Sequence, residues 1–173
     1  MDIELTTERL LIRQFVVADA EFILELLNQP SFHRFIGDKG VRSVDDAKNY
    51  IATGPIESYQ RHGFGLYLVE LKDTKVPIGM CGVLKRESLP DPDLGFAFLP
   101  QYWGKGYAFE AASAVLREAR DKFKLIRILA ITNPDNDASI KLLAKLGFRF
   151  ERVMRLSSDS DEVKLFSLMF EPS

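Results

Sequence analysis

The chain has 173 residues, 46% of them hydrophobic, and sets 23 Lys and Arg against 25 Asp and Glu for a formal net charge of −2. That length suits one domain, residues 1–173, with a substantial core, and neither a signal peptide nor an apolar run of about eighteen residues appears, so a soluble, cytoplasmic protein with no membrane partner is expected. The charge balance gives no footprint for direct nucleic-acid binding, and the lone Cys81 excludes an intrachain disulfide.

In chain order, residues 10–13 read as a first strand. Residues 19–28 place Phe22, Ile23, Leu26 and Leu27 on one face of a helix. Phe32-His33-Arg34-Phe35 reads as a loop, and Ser43, followed by Asp45 and Asp46, as the cap of a second helix. A further helical stretch covers part of residues 55–61. Residues 64–71 and 78–84 pair as strands across a polar turn, and the strand beginning at Asp93 follows a second turn at residues 90–92. Cys81, between Met80 and Gly82 in one of these strands, reads as a buried structural thiol. Late strands at 150–156 and 163–170 flank the polar turn 157–162. No repeat or low-complexity tract is present, and the order gives an α/β domain with a mixed, largely antiparallel sheet.

The most informative stretch is Gln101-Tyr102-Trp103-Gly104-Lys105-Gly106-Tyr107-Ala108. Before it, Leu94, Phe96 and Phe98 alternate with Gly95 and Ala97 and stop at Pro100, a half-buried strand with a hard end. After it, Ala108, Ala111, Ala112, Val115, Leu116 and Ala119 recur at helical spacing. Glycines at a helix entry let backbone N–H groups approach a ligand, and the helix dipole favours negative charge there, so a pyrophosphate suits the junction. A nucleotide P-loop would need glycine at Leu99 and Ser or Thr at Gly106, and a dinucleotide fingerprint would need glycine at Phe109. Neither pattern is met.

What remains, Gln-x-x-Gly-x-Gly-x-Ala after a strand, resembles the cofactor motif of the GNAT superfamily of N-acetyltransferases. A second segment agrees. The β-rich run 126–132 ends at Asn133-Pro134-Asp135-Asn136, and a short helix follows with Ile140, Leu143 and Ala144 as its apolar stripe and Gly147-Phe148 as its cap. Asn136-x-x-Ser139 with Leu143, Lys145, Gly147 and Phe148 resembles the corresponding segment of the ribosomal-protein N-terminal acetyltransferase (RimJ/RimL-like) branch. So do the opening Thr7-Glu8-Arg9-Leu10-Leu11-Ile12-Arg13 and the full Pro100-to-Ala108 run.

The resemblance implies a single-domain acetyltransferase fold with flanking helices and a splay between strands four and five that admits acetyl-coenzyme A as acetyl donor. It further implies that Phe96, Ala97 and Phe98 offer backbone to the pantetheine arm, that Gln101 and the segment Trp103, Gly104, Lys105, Gly106, Tyr107 and Ala108 hold the pyrophosphate, and that Asn136 hydrogen-bonds the donor. Lys105 reads equally well as a solvated helix-start lysine, and Trp103 as a packing side chain. The reaction implied is direct acetyl transfer to an amine, with a backbone N–H near Phe98 at the oxyanion and no metal. Much of the superfamily uses a tyrosine where this chain has Leu143, and by the branch resemblance Ser139 takes over donation to the leaving sulfur.

The general base is less legible. Asp93 and Glu70 are carboxylate candidates, His33 and His62 the histidine ones, and none stands out. A weak base favours an N-terminal α-amine of a protein or peptide as acceptor, since an α-amine with pKa of about 7.7 to 8.0 is roughly a tenth neutral at pH 7 and a lysine near 10.4 only about 0.04%. A small amine or antibiotic is the alternative acceptor, and a noncatalytic acyl-coenzyme A sensor or interaction module the alternative class. The 32–35 segment and the acidic turn Asp159-Ser160-Asp161-Glu162 are candidates for shaping the acceptor pocket. The sequence gives no oligomeric state.

Overall fold

The apolar run Leu66-Tyr67-Leu68-Val69 is buried along its whole length, which requires cover on both faces of its strand. In the computed structural model, which describes residues 3–171, that strand lies inside an eight-stranded sheet. The expected domain limits at residues 1 and 173 fall outside the described residues. The elements are β1 (Ile3–Thr6), β2 (Leu10–Gln14), α1 (Ala20–Leu27), α2 (Pro30–Phe35), α3 (Val44–Ile51), α4 (Glu57–His62), β3 (Leu66–Leu71), β4 (Pro77–Leu84), β5 (Asp93–Phe98), α5 (Tyr107–Asp121), β6 (Arg127–Thr132), α6 (Asp137–Lys145), β7 (Arg149–Arg155) and β8 (Glu162–Met169). The sheet order is β1-β2-β3-β4-β5-β6-β8-β7. Neighbours are antiparallel except β5 and β6, which are parallel.

Alternation along β3 builds the two layers. Tyr67 and Val69 pack with Ala111, Ala112 and Val115 of α5, whose small side chains let that helix lie close to the sheet. Leu66 and Leu68 face the other way, into Phe22, Ile23 and Leu26 of α1 and Ala47 and Ile51 of α3. Each fully buried Leu, Ile or Val contributes about 1.5–3 kcal/mol relative to exposure. The buried carboxylate on α5, Glu118, accepts a hydrogen bond from the Tyr67 hydroxyl at 3.0 Å, so its burial is not uncompensated.

The β5–β6 pair positions the site. The strands register at Asp93↔Leu129 alone among the described residues, with the Leu129 N–H donating to the Pro92 carbonyl at 2.9 Å. Beyond that bridge they diverge. This is the expected splay between the fourth and fifth strands counted from Leu10; β1, which the sequence did not announce, moves the count by one.

Two helical expectations are revised. The segment expected as a loop, Phe32 to Phe35, is the body of α2, started by Pro30 in its first turn, where a missing N–H costs nothing. The two helices expected after Ser43 are joined through a π-type turn at Ala52–Ile56, with Pro55 inside it. Proline cannot donate to the preceding turn, and the helix widens there. The Ser43 cap is present, its hydroxyl accepting from the Asp46 N–H at 3.1 Å.

Candidate active site

Along β5, backbone groups alternate between the two neighbouring strands. Just past its end the Leu99 N–H donates to the Ile78 carbonyl at 2.9 Å, in the same register that sets Phe98 opposite Gly79. Leu99, Ala97 and Gly95 therefore direct their backbone to β4, while Phe96 and Phe98 direct theirs to the side from which β6 has swung away. The expectation that Ala97 offers its own amide to the opening is corrected by this alternation. One free acceptor is already taken, because the Trp103 indole N–H donates to the Phe98 carbonyl at 2.9 Å. The Phe98 N–H and both polar groups of Phe96 remain on the open edge.

The opening is a cavity of about 610 Å³. The loop after β5 supplies one wall. Gly104 and Gly106 have φ of +74° and +84°, left-handed values that L side chains rarely adopt, and Gly106 is the N-cap of α5 without a side-chain cap. The first N–H groups of α5 thus start at the cavity, as do those of α6, so two positive helix ends border it. The loop is braced from behind by the opening segment of the chain. Arg9 donates from Nε to Glu110 Oε1 at 2.7 Å and from Nη1 to the Lys105 carbonyl at 2.9 Å, and its guanidinium lies 4.4 Å over the Tyr107 ring. Thr7 and the Arg9 N–H also donate to Glu110. Burial works against the charged form of Glu110, but these donations outweigh it and hold the carboxyl below the usual glutamate range.

Phe96, Ala97, Phe98, Trp103, Gly104, Gly106, Tyr107, Ala108, Asn136 and Ser139 all line this one cavity. Gln101 and Lys105 belong to the same loop but are exposed and do not wall it. The Asn136 side-chain oxygen caps α6 by accepting from the Ser139 N–H at 3.2 Å, leaving its amide N–H groups for a ligand. Leu143, where much of the superfamily has tyrosine, is buried in the core, whereas Ser139, one turn earlier, is on the cavity wall. Lys145 of α6 sits 4.3 Å over the Phe109 ring of α5, linking the two helices beside the cavity.

The proposed bases do not join this constellation. Asp93 is fully buried at the apex of the splay, where Arg86 donates to both its oxygens at 2.9 Å. Burial raises its pKa and the guanidinium pulls the other way. Its place is that of a structural ion pair, off the cavity wall, and the expectation that it acts at the reacting centre is corrected. Glu70 is buried 3.5 Å from Arg13. His33, in α2, lies 3.9 Å from Asp38, and His62 stacks on Phe64 at 5.7 Å. The turn 159–162 closes the β7–β8 hairpin, where Ser160 bonds Ser157, and is not on the cavity wall.

The brace from Thr7 and Arg9, the Trp103–Phe98 bond, and the wall made by Leu26, Gln29, Ser31 and Ile36 beside Phe32 and Phe35 leave little signal in the sequence. Only the Thr7-x-Arg9-Leu10 pattern carries a trace of the first.

The family model for the acetyltransferase (GNAT) domain matches residues 9–149. An N-acetyltransferase of Bacillus subtilis, YoaA, itself uncharacterized, is 32% identical over 152 residues, covering 87% of this chain and 85% of the relative. Among solved structures, a GNAT-family acetyltransferase from Bacillus anthracis is 27% identical with a TM-score of 0.78 and 98% of both chains covered. RimL, a ribosomal α-N-protein acetyltransferase in complex with coenzyme A, superposes with a TM-score of 0.82 at 16% identity over 97% of this chain and 98% of its own. With a splayed sheet, a glycine-turned helix start and a family match over most of its length, the chain belongs to the GNAT acetyltransferases and is an acetyl-coenzyme A-dependent N-acetyltransferase.

Proposed function

We propose that the enzyme acetylates an N-terminal α-amine of a protein or peptide by direct attack in a ternary complex. The observation that carries this reading is the position of the candidate bases: Asp93 and Glu70 are buried in arginine ion pairs, and His33 and His62 lie off the cavity wall. An acceptor that is already partly neutral near pH 7 fits such a site, and an α-amine meets that condition where a lysine does not. RimL, whose fold this chain shares, acts on the α-amine of a ribosomal protein.

In this reading the acceptor nitrogen attacks the thioester carbonyl carbon, the C–N bond forms as the C–S bond breaks, and sulfur leaves with the electron pair as thiolate. The ammonium proton passes to solvent. The Phe98 N–H, free on the open edge of β5, faces the developing oxyanion, and the Ser139 hydroxyl donates to the departing sulfur. The first N–H groups of α5 and the amide of Asn136 hold the donor, with Gln101 and Lys105 at the loop's outer side. A thiol-linked intermediate is disfavoured, because Cys81 is fully buried and desolvation pushes its pKa well above the ordinary thiol range.

The test is acceptor-dependent release of coenzyme A thiol with a free-N-terminus peptide and its N-blocked counterpart. Release with the first and not the second supports the reading. Binding of acetyl-coenzyme A without release for any amine would favour the sensor class, and release with small amines alone would favour the small-molecule acceptor.

A further inference from the structure

The cavity wall changes character with the element that supplies it. Every charged residue on it, Asp135, Asp137, Lys141 and Lys145, comes from α6 or the turn that leads into it, beside the helix starts that suit an anionic donor. The part of the wall that runs from the end of α1 through α2 is made by Leu26, Gln29, Ser31, Phe32, Phe35 and Ile36, with no charge among them. Phe32 is anchored in the core, while Ile36 is 48% exposed, large for an aliphatic side chain on a cavity lip. The one carboxylate in the loop just after α2, Asp38, is occupied by Arg42 and the Gly40 N–H. Arg34 is folded 4.6 Å over the Phe35 ring. A second ammonium on the acceptor would find no counter-charge on this wall.

Resting on the N-acetyltransferase reading above, we infer that the acceptor amine is flanked by an apolar group, the first side chain of a peptide, which packs against Leu26, Phe32, Phe35 and Ile36, and that polycationic amines are excluded. Gln29 and Ser31 supply the neutral hydrogen-bonding groups that a peptide backbone needs.

The experiment measures kcat/KM by thiol release for peptides identical except at residue one, Leu, Phe, Asp or Lys, and for phenethylamine against spermidine. Leu and Phe peptides should exceed the Asp peptide by about tenfold or more, the discrimination expected of an apolar pocket, and phenethylamine should exceed spermidine. Ile36→Asp, on an exposed lip and so expected to fold, should collapse the Leu-to-Lys ratio by a similar factor. Equal turnover of Leu and Asp peptides would overturn the inference while leaving N-terminal acetylation standing. Turnover of phenethylamine over spermidine with no peptide accepted would uphold the apolar wall and sink the peptide acceptor. Preference for spermidine, or an unchanged ratio in Ile36→Asp, would overturn the wall, and no release with any apolar amine would overturn both.

Discussion

Arg9 Nε donates to Glu110 Oε1 across 2.7 Å and 101 positions of sequence, tying the turn between β1 and β2 to the first turn of α5. The pair braces the loop from outside the cavity. Arg9 is 41% exposed, so solvent screening limits the pair to about 0.5–1 kcal/mol, a two- to fivefold effect. Arg9→Ala should raise the KM for acetyl-coenzyme A by about that factor with kcat little changed. The pH dependence follows from the depressed Glu110 pKa: a lowered carboxyl stabilises the folded loop above the ordinary glutamate pKa of about 4.3, and that contribution fades as pH falls through its own lower value. Acetyl-coenzyme A affinity of wild type should fall in that acid range, and Glu110→Gln should flatten the fall. Identical affinity profiles for wild type and Glu110→Gln would remove the brace.

The glycines of the loop can be separated by what a side chain would meet. A Cβ at Gly106 would come within 3.3 Å of Arg9 Nη2, whereas one at Gly104 meets no atom within 4 Å. Both positions hold left-handed φ, which costs a non-glycine residue about 1–3 kcal/mol. Gly104→Val and Gly106→Val should each weaken acetyl-coenzyme A binding by about tenfold or more, equivalent to about 1.4 kcal/mol. Gly106→Val should also lose more thermal stability, because it disturbs Arg9. Calorimetric titration with unchanged Kd for both variants would sink the loop assignment.

Asn136 and Ser139 differ in what each removes. Asn136→Ala deletes the cap of α6, a loss of about 0.5–2 kcal/mol in stability, and weakens donor binding as well. Ser139→Ala keeps the cap, since the bond uses its backbone N–H, and should lower kcat with little change in donor affinity. Because a thiolate with pKa of about 8.5 is already a tolerable leaving group, the fall should be partial. Full turnover in Ser139→Ala where chemistry limits the rate would end its leaving-group role.

Cys81, buried and with its pKa raised by desolvation, should resist thiol reagents in the native state. Alkylation should proceed at the rate of unfolding and become fast in guanidinium. Rapid native labelling with loss of activity would contradict its structural role.

The strands and helices that the sequence announced were those with strong periodicity or chemical punctuation: Phe64 to Leu84, the Ser43 cap, Pro100, and the Gly104–Gly106 turn. β1 is only four residues long and offers too short a pattern to read. α2, at six residues, is under two helical turns, and its aromatic content hid the helical signal of Pro30. Phe96 and Phe98 could be placed on one strand, but which backbone groups stay free depends on the β4 register, and the β6-β8-β7 order depends on chain packing at long range. Asp93 is opaque in sequence for a similar reason: its partner Arg86 lies across a turn, and a carboxylate at a strand head looks the same in sequence whether it is free or ion-paired.

The measurement that bears most directly on the central claim is mass-spectrometric location of the acetyl group on a peptide carrying both a free N-terminus with an apolar first residue and an internal lysine. The pKa gap of about 2.5 units between the two amines corresponds to about 3.4 kcal/mol in the availability of neutral nitrogen. Acetyl should appear on the α-amine almost alone, with turnover rising with pH toward the α-amine pKa and flattening above it. Acetyl predominantly on the lysine side chain would contradict the account.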